Sequence, residues 1–473
     1  MFFLCAMAAG ALSGLATAWL LRSKNSPNID GLVNQISADL AASLASLPKP
    51  EPFLLPDEPP LPRNTRELIE EVNALVAELI KICPNNVDAL EMKARAEDWQ
   101  GKTKAAIATW EECLRLNPQY VHAYVGMAAL AARAGEHEKA AELARKAMEL
   151  DPTSFRARDI LAESLINLQR PAEAVEVLEE FLRNDPRSRG FFLLGRAYSL
   201  LDQWEKAAQA YQAAVNKYPR YAEAYYALAR VQRRLGQRKE AQETTAKYWE
   251  LMKQREPTRQ GMETAVDDFK EMSINGAILL TDIGRVYFAV GQFHRAERLW
   301  QRAAKLDPHN VPCRQLLATL CQRQGRLWEA VSWYRELTQI ESDNPVNWLE
   351  IGQLFAGSLQ FEEAEAAFSK ACEVAPERPD GYAALVRLYL SSGRKVERAP
   401  QVARTLVTKA PTAENYALLS AACEQTGDME GALSALKHAL QLAPQNQTYQ
   451  RMYERLLAGK PSAASTTPSK DEK

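Results

Sequence analysis

The chain has 473 residues, of which 58 are Lys or Arg and 60 are Asp or Glu, so it carries almost no net charge. That balance excludes the electrostatic attraction by which basic proteins bind nucleic acid or anionic lipid. An apolar fraction of 47% with modest Gly and Pro contents excludes a collagen-like or wholly disordered chain, and it is enough for a large buried core.

The first segment, residues 1–22, contains an uncharged apolar run long enough to cross a bilayer as one helix. Arg22 and Lys24 border its carboxyl end and no basic residue precedes it, which predicts a single-pass anchor with the rest of the chain in the cytoplasm. Small residues spaced four apart in the run would also allow a homodimer. The alternative stays open, because Ala16–Ala18 has the form of a signal-peptidase site and a cleaved signal would make the protein periplasmic or secreted.

The next two segments lie between this run and the main part of the chain. Residues 23–46 are predicted to form an amphipathic helix, which would pack against either a partner helix or its own chain. Residues 47–62, LPKPEPFLLPDEPPLP, hold seven prolines in sixteen residues. Because proline lacks the N–H that helices and sheets need, this linker is predicted to be an extended, semi-rigid spacer. A ligand for a proline-binding partner domain is the alternative.

From Pro84 onward the chain repeats with a period of 34 residues. Prolines recur at 84, 118, 152 and 186, and the spacing returns from Pro308 to Pro376. A small residue, usually Ala, lies twelve residues before each mark, and a Gly or polar turn separates two stretches with helical apolar spacing. Each unit is therefore predicted to be two antiparallel helices that bury their apolar faces only by stacking on neighbouring units.

These units resemble the tetratricopeptide repeat family, whose pattern is W-x2-L-G-x2-Y, then A-x3-F, then P. The resemblance implies an all-α fold, a superhelical α-solenoid of antiparallel helix pairs. We count ten units from about Val87 to Pro444, with a half unit before them and a capping helix at Thr448–Ala458 after them. The pattern is carried by Leu280, Ile283, Gly284, Tyr287, Ala296, Trp300 and Pro308, and again by Trp348, Ile351, Gly352, Phe355, Ala364, Phe368 and Pro376.

The period breaks once, at 252–273. The break divides the prediction into an N-terminal repeat array over 63–251 and a C-terminal array with its capping helix over 274–458. The broken segment is predicted to be a hinge or a linking helix, with a plain insertion as the alternative. The polar residues 459–473 are predicted to be a disordered tail.

The resemblance implies peptide or domain binding in the groove formed by the first helix of each unit. In units four to six the groove positions hold arginines and aromatic residues. Guanidinium groups bind carboxylates bidentately and rings grip apolar side chains, so the predicted ligand is an acidic, partly apolar peptide. The alternative is a set of solvated arginines offset by nearby carboxylates. The candidate residues are Arg189, Phe192, Arg196, Tyr226, Arg230, Arg233, Arg285 and Phe288, with Arg234 and Thr281 beside them.

The sequence offers no arrangement typical of catalysis. The seven cysteines are odd in number without a CxxC pair, which favours reduced thiols over disulfides or a zinc site and is typical of a reducing compartment. We find no nucleophile with a base and no glycine-rich phosphate loop, and the five histidines lie in different units. The prediction is therefore no enzyme activity, no metal or other cofactor, and neither nucleic acid nor a small-molecule substrate as ligand.

Taken in order, these segments predict a membrane-anchored repeat scaffold that recruits a protein or peptide partner through its groove. Two alternatives stay open. One is an exported assembly factor for an envelope or cytochrome-type complex. The other is a regulatory subunit of an enzyme whose catalytic chain is separate.

Overall fold

The computed structural model describes residues 60–183, 185–255 and 268–459. Over these ranges the chain forms twenty-two α-helices and one short 3₁₀-helix, and no β-strand. The all-α prediction is confirmed. The predictions for residues 1–22, 23–46 and most of 47–62, and for the tail beyond Gly459, fall outside the described residues.

The predicted localisation needs a correction. Within the described ranges no helix is both long enough and apolar enough to span a bilayer, and this finding overturns the prediction of a single-pass membrane protein. The described helices are instead 11 to 22 residues long, and they are amphipathic because one face of each packs on neighbouring helices while the other stays polar. The apolar run at 2–21, on which the prediction rested, lies outside the described residues.

The described residues group into two compact units, one up to Asn310 and one from Val311 onward. The helices of the first unit are α1 (Thr65–Ile82), α2 (Val87–Trp99), α3 (Thr103–Leu116), α4 (Val121–Arg133), α5 (His137–Leu150), α6 (Phe155–Asn167), α7 (Pro171–Leu182), α8 (Ser188–Leu200), α9 (Trp204–Lys217), α10 (Ala222–Arg234), α11 (Arg238–Arg255), α12 (Asp268–Ala289) and α13 (Phe293–Leu306). Those of the second are α14 (Val311–Arg323), α15 (Leu327–Ile340), α16 (Pro345–Gly357), α17 (Phe361–Val374), α18 (Asp380–Ser392), α19 (Ala399–Lys409), α20 (Ala413–Thr426), α21 (Met429–Leu442) and α22 (Gln447–Leu457).

From α2 onward the helices form the antiparallel pairs that the period predicts. A glycine on the first helix of a pair often faces a large ring on the second, as in Gly195 with Tyr211 and Gly352 with Phe368. A Cβ atom at either glycine would lie within 2.4 to 2.6 Å of a ring carbon, so the absent side chain lets the helices approach. Glycines with positive φ, such as Gly291 at 81°, close the tight turns between helices.

The second unit stacks its helices in chain order around one core that runs from Ala318 to Leu456. Its one irregular turn follows α18. There the buried carboxylate of Glu365 accepts hydrogen bonds from Tyr389 at 2.7 Å, from Arg398 at 3.2 Å and from Lys395. The buried carboxylate stabilises a turn that is longer than the others. The longer turn lies between Pro376 and Pro411, whose spacing is 35 residues where the period is 34.

In the first unit the stack is closed by a long-range contact. After α11 the chain does not simply add another pair, because α12 packs against α1 and α2 as well as against its own partner α13. A Cβ atom on Gly276 of α12 would lie 3.0 Å from Leu68 of α1. Arg302 of α13 donates to the carboxylate of Glu71 in α1 at 2.7 Å and to the carbonyl of Pro60 at 2.8 Å. The half unit α1 thus gains a neighbour from two hundred residues further along the chain.

The segment 252–273 spans the point where this return occurs. α11 extends into it as far as Arg255, and α12 begins at Asp268, so it has 22 residues where the other first helices have 13 or 14. The hinge and the domain boundaries assigned to this segment stay predictions.

Gly352→Ala tests the close approach of paired helices. We expect it to lower the free energy of unfolding by about 1–3 kcal/mol, because the new methyl group would lie 2.4 Å from the Phe368 ring. Gly357→Ala, in the same helix, is the matched control, since nothing lies within 4 Å of its Cβ position. Alanine should be neutral or stabilising there by up to about 1 kcal/mol. Urea unfolding of both variants measures the difference, and equal midpoints would contradict the packing argument.

Arg302→Met tests the long-range contact. The side chain of Arg302 is 8% exposed, so its loss leaves the Glu71 carboxylate half-buried without its main partner. We expect a loss of about 2 kcal/mol and faster amide exchange in α1. Arg66→Met is the control, because Arg66 and Glu70 form an exposed pair within α1. It should change stability by at most about 0.5 kcal/mol. Hydrogen exchange that is equally slow in α1 of both variants would show that the contact does not hold α1.

Candidate functional site

The candidate residues all lie on first helices of pairs in the first unit. Three of them, Arg189, Phe192 and Arg196, belong to α8, and three more, Tyr226, Arg230 and Arg233, belong to α10. The helical spacing of three or four residues places the members of each set on one face of their helix. The remaining two, Arg285 and Phe288, belong to α12.

The two arginines of α8 are already paired. The guanidinium of Arg189 donates to Glu163 of α6 at 2.8 Å, and that of Arg196 donates to the same carboxylate at 3.3 Å. Arg189 also lies 3.7 Å from the carboxylate of Asp159. The acidic side chains of α6 therefore neutralise the basic ones of α8, as the alternative interpretation of solvated, offset arginines expects.

The arginines of α10 are in a different situation. Arg230 and Arg233 are exposed, and neither forms an ion pair with a carboxylate in the part of the chain that the structure describes. The guanidinium of Arg230 lies 5.9 Å above the Tyr226 ring, and Nε of Arg233 donates to the carbonyl of Ala229 at 3.3 Å. Positive charge on α10 is therefore available to a ligand.

Aromatic side chains connect α8 with α10. The Phe192 ring lies 5.7 Å from the Tyr211 ring and 5.1 Å from the ring of Tyr221, which directly precedes α10. Burial raises the pKa of Tyr211, and a hydrogen bond with Ser199 and the positive charges of Arg196 and Arg230 oppose that rise. The two helices thus present one surface, and we call its residues Arg196, Tyr226, Arg230 and Arg233 the basic face.

Two aromatic residues beside this face were missed by the sequence reasoning. The Tyr248 ring lies 5.4 Å from Tyr226 and 5.0 Å from Trp249, and both new residues belong to α11. Trp249 is 62% exposed. They were missed because only first helices were projected, although an adjacent Tyr and Trp in an otherwise polar second helix is a signal that the sequence carries. We call Tyr226, Tyr248 and Trp249 the aromatic cluster.

The candidates on α12 have other neighbours. Arg285 donates to Asp282 at 2.8 Å, and the same carboxylate accepts a hydrogen bond from Arg95 of α2 at 2.7 Å. The Phe288 ring lies 5.0 Å from Phe293 and 5.7 Å from Trp300, so it packs on α13. Arg285 therefore belongs to the charge cluster between α12 and α2, and Phe288 belongs to the packing of α12 on α13. Among the residues projected beside the candidates, Thr281 is buried, and Arg234 stacks on Trp204 of α9.

The return of α12 also creates a cleft of about 640 Å³ between α1, α2, α4 and α12. Trp99, Met272 and Ile278 supply apolar surface there. Both arginines of the cleft are paired, Arg133 with Asp98 and Arg95 with Asp282, and Glu271 adds a carboxylate to the lining. The cleft has room for a few residues of peptide, yet neither of its arginines is unpaired as those of the basic face on α10 are.

The repeat units can now be compared with known families. Tetratricopeptide repeat family models match residues 161–215, 281–345 and 349–414, a second such model matches 210–243, and a third matches 413–446. The chain belongs to the tetratricopeptide repeat family. A model described as anaphase-promoting complex, cyclosome, subunit 3 also matches residues 99–181 of this tetratricopeptide repeat protein.

Curated relatives show the same relationship at low identity. Anaphase-promoting complex subunit 7 of Arabidopsis thaliana is 24% identical over 317 residues, which is 66% of this chain and 52% of that protein. The BBSome complex member BBS4 homolog of Drosophila melanogaster is 22% identical over 336 residues, or 69% of this chain and 65% of that protein. The chain thus spans between half and two thirds of the length of these relatives. Both are named as members of multi-subunit complexes.

Solved structures match over different shares of the chain. The crystal structure of yeast Tom70 matches 79% of this chain and 96% of its own at 14% identity, with a TM-score of 0.32. The MamA RS-1 ArsTM double mutant matches 36% of this chain and 97% of its own at 24% identity, with a TM-score of 0.34. The families matched by the chain are protein-interaction modules, so the coarse prediction of a tetratricopeptide repeat scaffold holds.

A titratable cluster surrounds Glu91 of α2, near the start of the first unit and away from the basic face. Its carboxylate lies 2.7 Å from Nδ1 of His122 and accepts a hydrogen bond from the Tyr120 hydroxyl at 2.5 Å. The bond to Glu91 raises the pKa of His122 despite partial burial. Burial alone would raise the pKa of Glu91, but the bonds from His122 and Tyr120 and the charge of Arg95 lower it instead.

His122→Gln tests this pair by its pH dependence. A histidine with a raised folded-state pKa adds stability below its unfolded pKa of about 6.5, and that stability disappears as the pH rises through the folded value. Glu91 adds stability above its unfolded pKa of about 4.3. We therefore expect His122→Gln to be destabilising near pH 5.5 and nearly neutral near pH 8, by less than about 1 kcal/mol because the His122 side chain is largely exposed.

Urea unfolding at the two pH values measures this difference. Glu91→Gln is the control background, in which His122→Gln should have the same effect at both pH values. A pH-dependent effect that persists without the Glu91 carboxylate would contradict the assignment.

Proposed function

We propose that this protein is an adaptor that holds a partner protein by binding an acidic, partly apolar peptide segment on the basic face. The observation that carries this proposal is the pair Arg230 and Arg233, exposed on α10 beside the half-exposed Tyr226 ring without a carboxylate partner among the described residues. An exposed guanidinium next to an aromatic ring can bind a carboxylate and an apolar side chain at the same time.

The arrangement favours binding energetically. A hydrogen bond to a charged group contributes about 1.5–3 kcal/mol, and a bidentate guanidinium–carboxylate pair is among the stronger forms. Arg230 already lies over the Tyr226 ring, so it loses less side-chain freedom when it binds a ligand. The rings of Phe192 and Tyr221 continue the apolar surface toward α8.

The paired arginines of α8 have a different role in this proposal. Arg189 and Arg196 share Glu163, and a ligand carboxylate would have to compete with that side chain. We infer that α10 supplies most of the affinity and that α8 sets the electrostatic surroundings. The basic face is thereby selective for a short acidic stretch rather than for any polyanion.

The relatives support an adaptor within a larger assembly. Both curated relatives are named as members of multi-subunit complexes, in Arabidopsis thaliana and Drosophila melanogaster. A rigid stack of helix pairs presents side chains at fixed spacing, which suits recognition of an extended segment. We therefore place the function in recruitment of a protein partner.

The double variant Arg230→Glu/Arg233→Glu tests this function. The matched control is Arg115→Glu/Arg298→Glu, which makes the same charge change at exposed arginines on the second helices α3 and α13. The probes are fluorescent peptides that share Leu and Phe positions and differ only in Asp and Glu content, titrated by polarisation against the full chain. Arg196 is left unchanged because a Glu there would repel Glu163 and disturb the contact of α6 with α8.

We expect the acidic peptides to bind the wild-type chain more tightly than the neutral ones, and to bind less tightly as salt is added. Reversing both charges should weaken that binding at least about thirtyfold, whereas the control should stay within about twofold. Neutral peptides that bind equally well, or acidic peptides that bind the double variant unchanged, would remove the basic face from consideration.

A further inference from the structure

The aromatic cluster is a surface that the proposed function leaves partly unused. Its rings form a continuous row, with 5.4 Å between Tyr226 and Tyr248 and 5.0 Å between Tyr248 and Trp249. Trp249 is 62% exposed and Tyr226 is 49% exposed, although aromatic side chains of this size are usually well buried. Arg230 and Arg233 flank the row on α10. Rows of exposed rings are the typical surface on which extended, proline-rich segments bind.

The chain itself contains a segment of matching chemistry that the proposed function also leaves unused. Residues 47–59, LPKPEPFLLPDEP, hold five prolines, and Phe53–Leu55 form an apolar core within them. Three acidic residues, Glu51, Asp57 and Glu58, against the single Lys49 give a net charge of 1 − 3 = −2. Proline rings can pack on the rings of the aromatic cluster. Two adjacent carboxylates can pair with two arginines that lie one helical turn apart.

The place where the described chain begins decides which copy can supply this segment. The carbonyl of Pro60 accepts a hydrogen bond from Arg302 of α13, beside α1. Asp57 is three residues from that point, so it can lie at most about 11 Å away along an extended chain. Four helix pairs, α2 to α9, separate α1 from α10. With neighbouring helix axes about 8–10 Å apart, they place roughly 40 Å of stacked helices between the two. Asp57 and Glu58 of the same chain therefore lie close to an anchor that four stacked pairs separate from Arg230 and Arg233, which favours a second copy as the source of the segment.

We propose that the aromatic cluster, together with Arg230 and Arg233, binds the proline-rich segment 47–59 of a second copy of this chain. The proposal rests on the proposed function, because it names a segment that the basic face would recognise. Pro56 packs on the aromatic row, and Asp57 and Glu58 pair with Arg230 and Arg233. Self-association through this contact occupies the surface that an external acidic partner also needs, so the partner and the second copy compete for it.

The test is a charge exchange in the full-length protein, read out by sedimentation velocity across a wide concentration range. Arg230→Glu/Arg233→Glu should weaken self-association at least about tenfold, and Asp57→Arg/Glu58→Arg should weaken it to a similar extent. A chain that carries all four substitutions should recover self-association, because each ion pair is then restored with its signs exchanged. Arg115→Glu/Arg298→Glu should leave self-association unchanged, and Trp249→Ala should weaken it without altering charge.

Three results would overturn the proposal. A wild-type chain that stays monomeric at every concentration has no such contact. Self-association that ignores both charge reversals, or that the four substitutions fail to restore, uses another surface. A monomeric wild type whose binding of labelled 47–62 peptide rises after Asp57→Arg/Glu58→Arg would assign the cluster to the segment of the same chain.

The failure of this proposal is distinguishable from the failure of the proposed function. If only the second-copy contact is wrong, external acidic peptides still bind the wild-type chain and still lose affinity with Arg230→Glu/Arg233→Glu. If the basic face binds no acidic segment at all, that peptide binding is absent as well. Circular dichroism of every variant, compared with the wild-type helix content, shows that each substitution has left the fold intact.

Discussion

Each helix pair of this protein buries only part of its apolar surface, so every pair depends on a neighbour, and the ends of the stack are the places where that dependence is hardest to satisfy. At the start of the first unit the single helix α1 would expose one face. The structure covers this face with α12, through Leu68 against Gly276 and through the ion pair of Arg302 with Glu71. Leu280 of α12 and Trp300 of α13 are buried, so α1 takes the place that a preceding pair would hold beside them.

The same constraint bears on where the proposed binding surface lies. Since α12 packs on α1 and α2, no described helix that follows α10 and α11 in the chain stacks closely on them as the repeat would predict. Its second helix is mostly polar, and the aromatic cluster stands out on it because Tyr248 and Trp249 are only partly covered. An interaction site at this place is consistent with the way solenoids use exposed first-helix positions and ends for recognition.

Charge compensation between successive helices decides which arginines are available. Glu163 and Asp159 of α6 neutralise Arg189 and Arg196 of α8, whereas no helix of the described chain offers a carboxylate to Arg230 and Arg233. Four arginines that all hold groove positions of the repeat are therefore unequal in the folded protein. Recognition by a scaffold of this family depends on such differences, because the backbone of every unit is nearly the same.

The sequence by itself determined the helix pairs, since each pair is held by contacts within about 34 residues that recur with the period. Small residues such as Gly352 opposite Phe368, turn glycines such as Gly291, and the all-α class follow from local spacing. The residues of the basic face were predicted in the same way, from their groove positions in the repeat, and their role in binding stays a prediction.

Only the tertiary structure decided which of those positions keep an exposed side chain without a partner among the described residues. The return of α12 to α1 depends on Arg302, Glu71 and Leu68, which lie far apart in the chain and carry no periodic signal. That return places Asp282, the partner of Arg285, against Arg95 of α2. Trp249 belongs to the aromatic cluster because its ring contacts Tyr248, which in turn contacts Tyr226. The repeat period cannot specify these contacts, since the packing of side chains between helices is set in three dimensions.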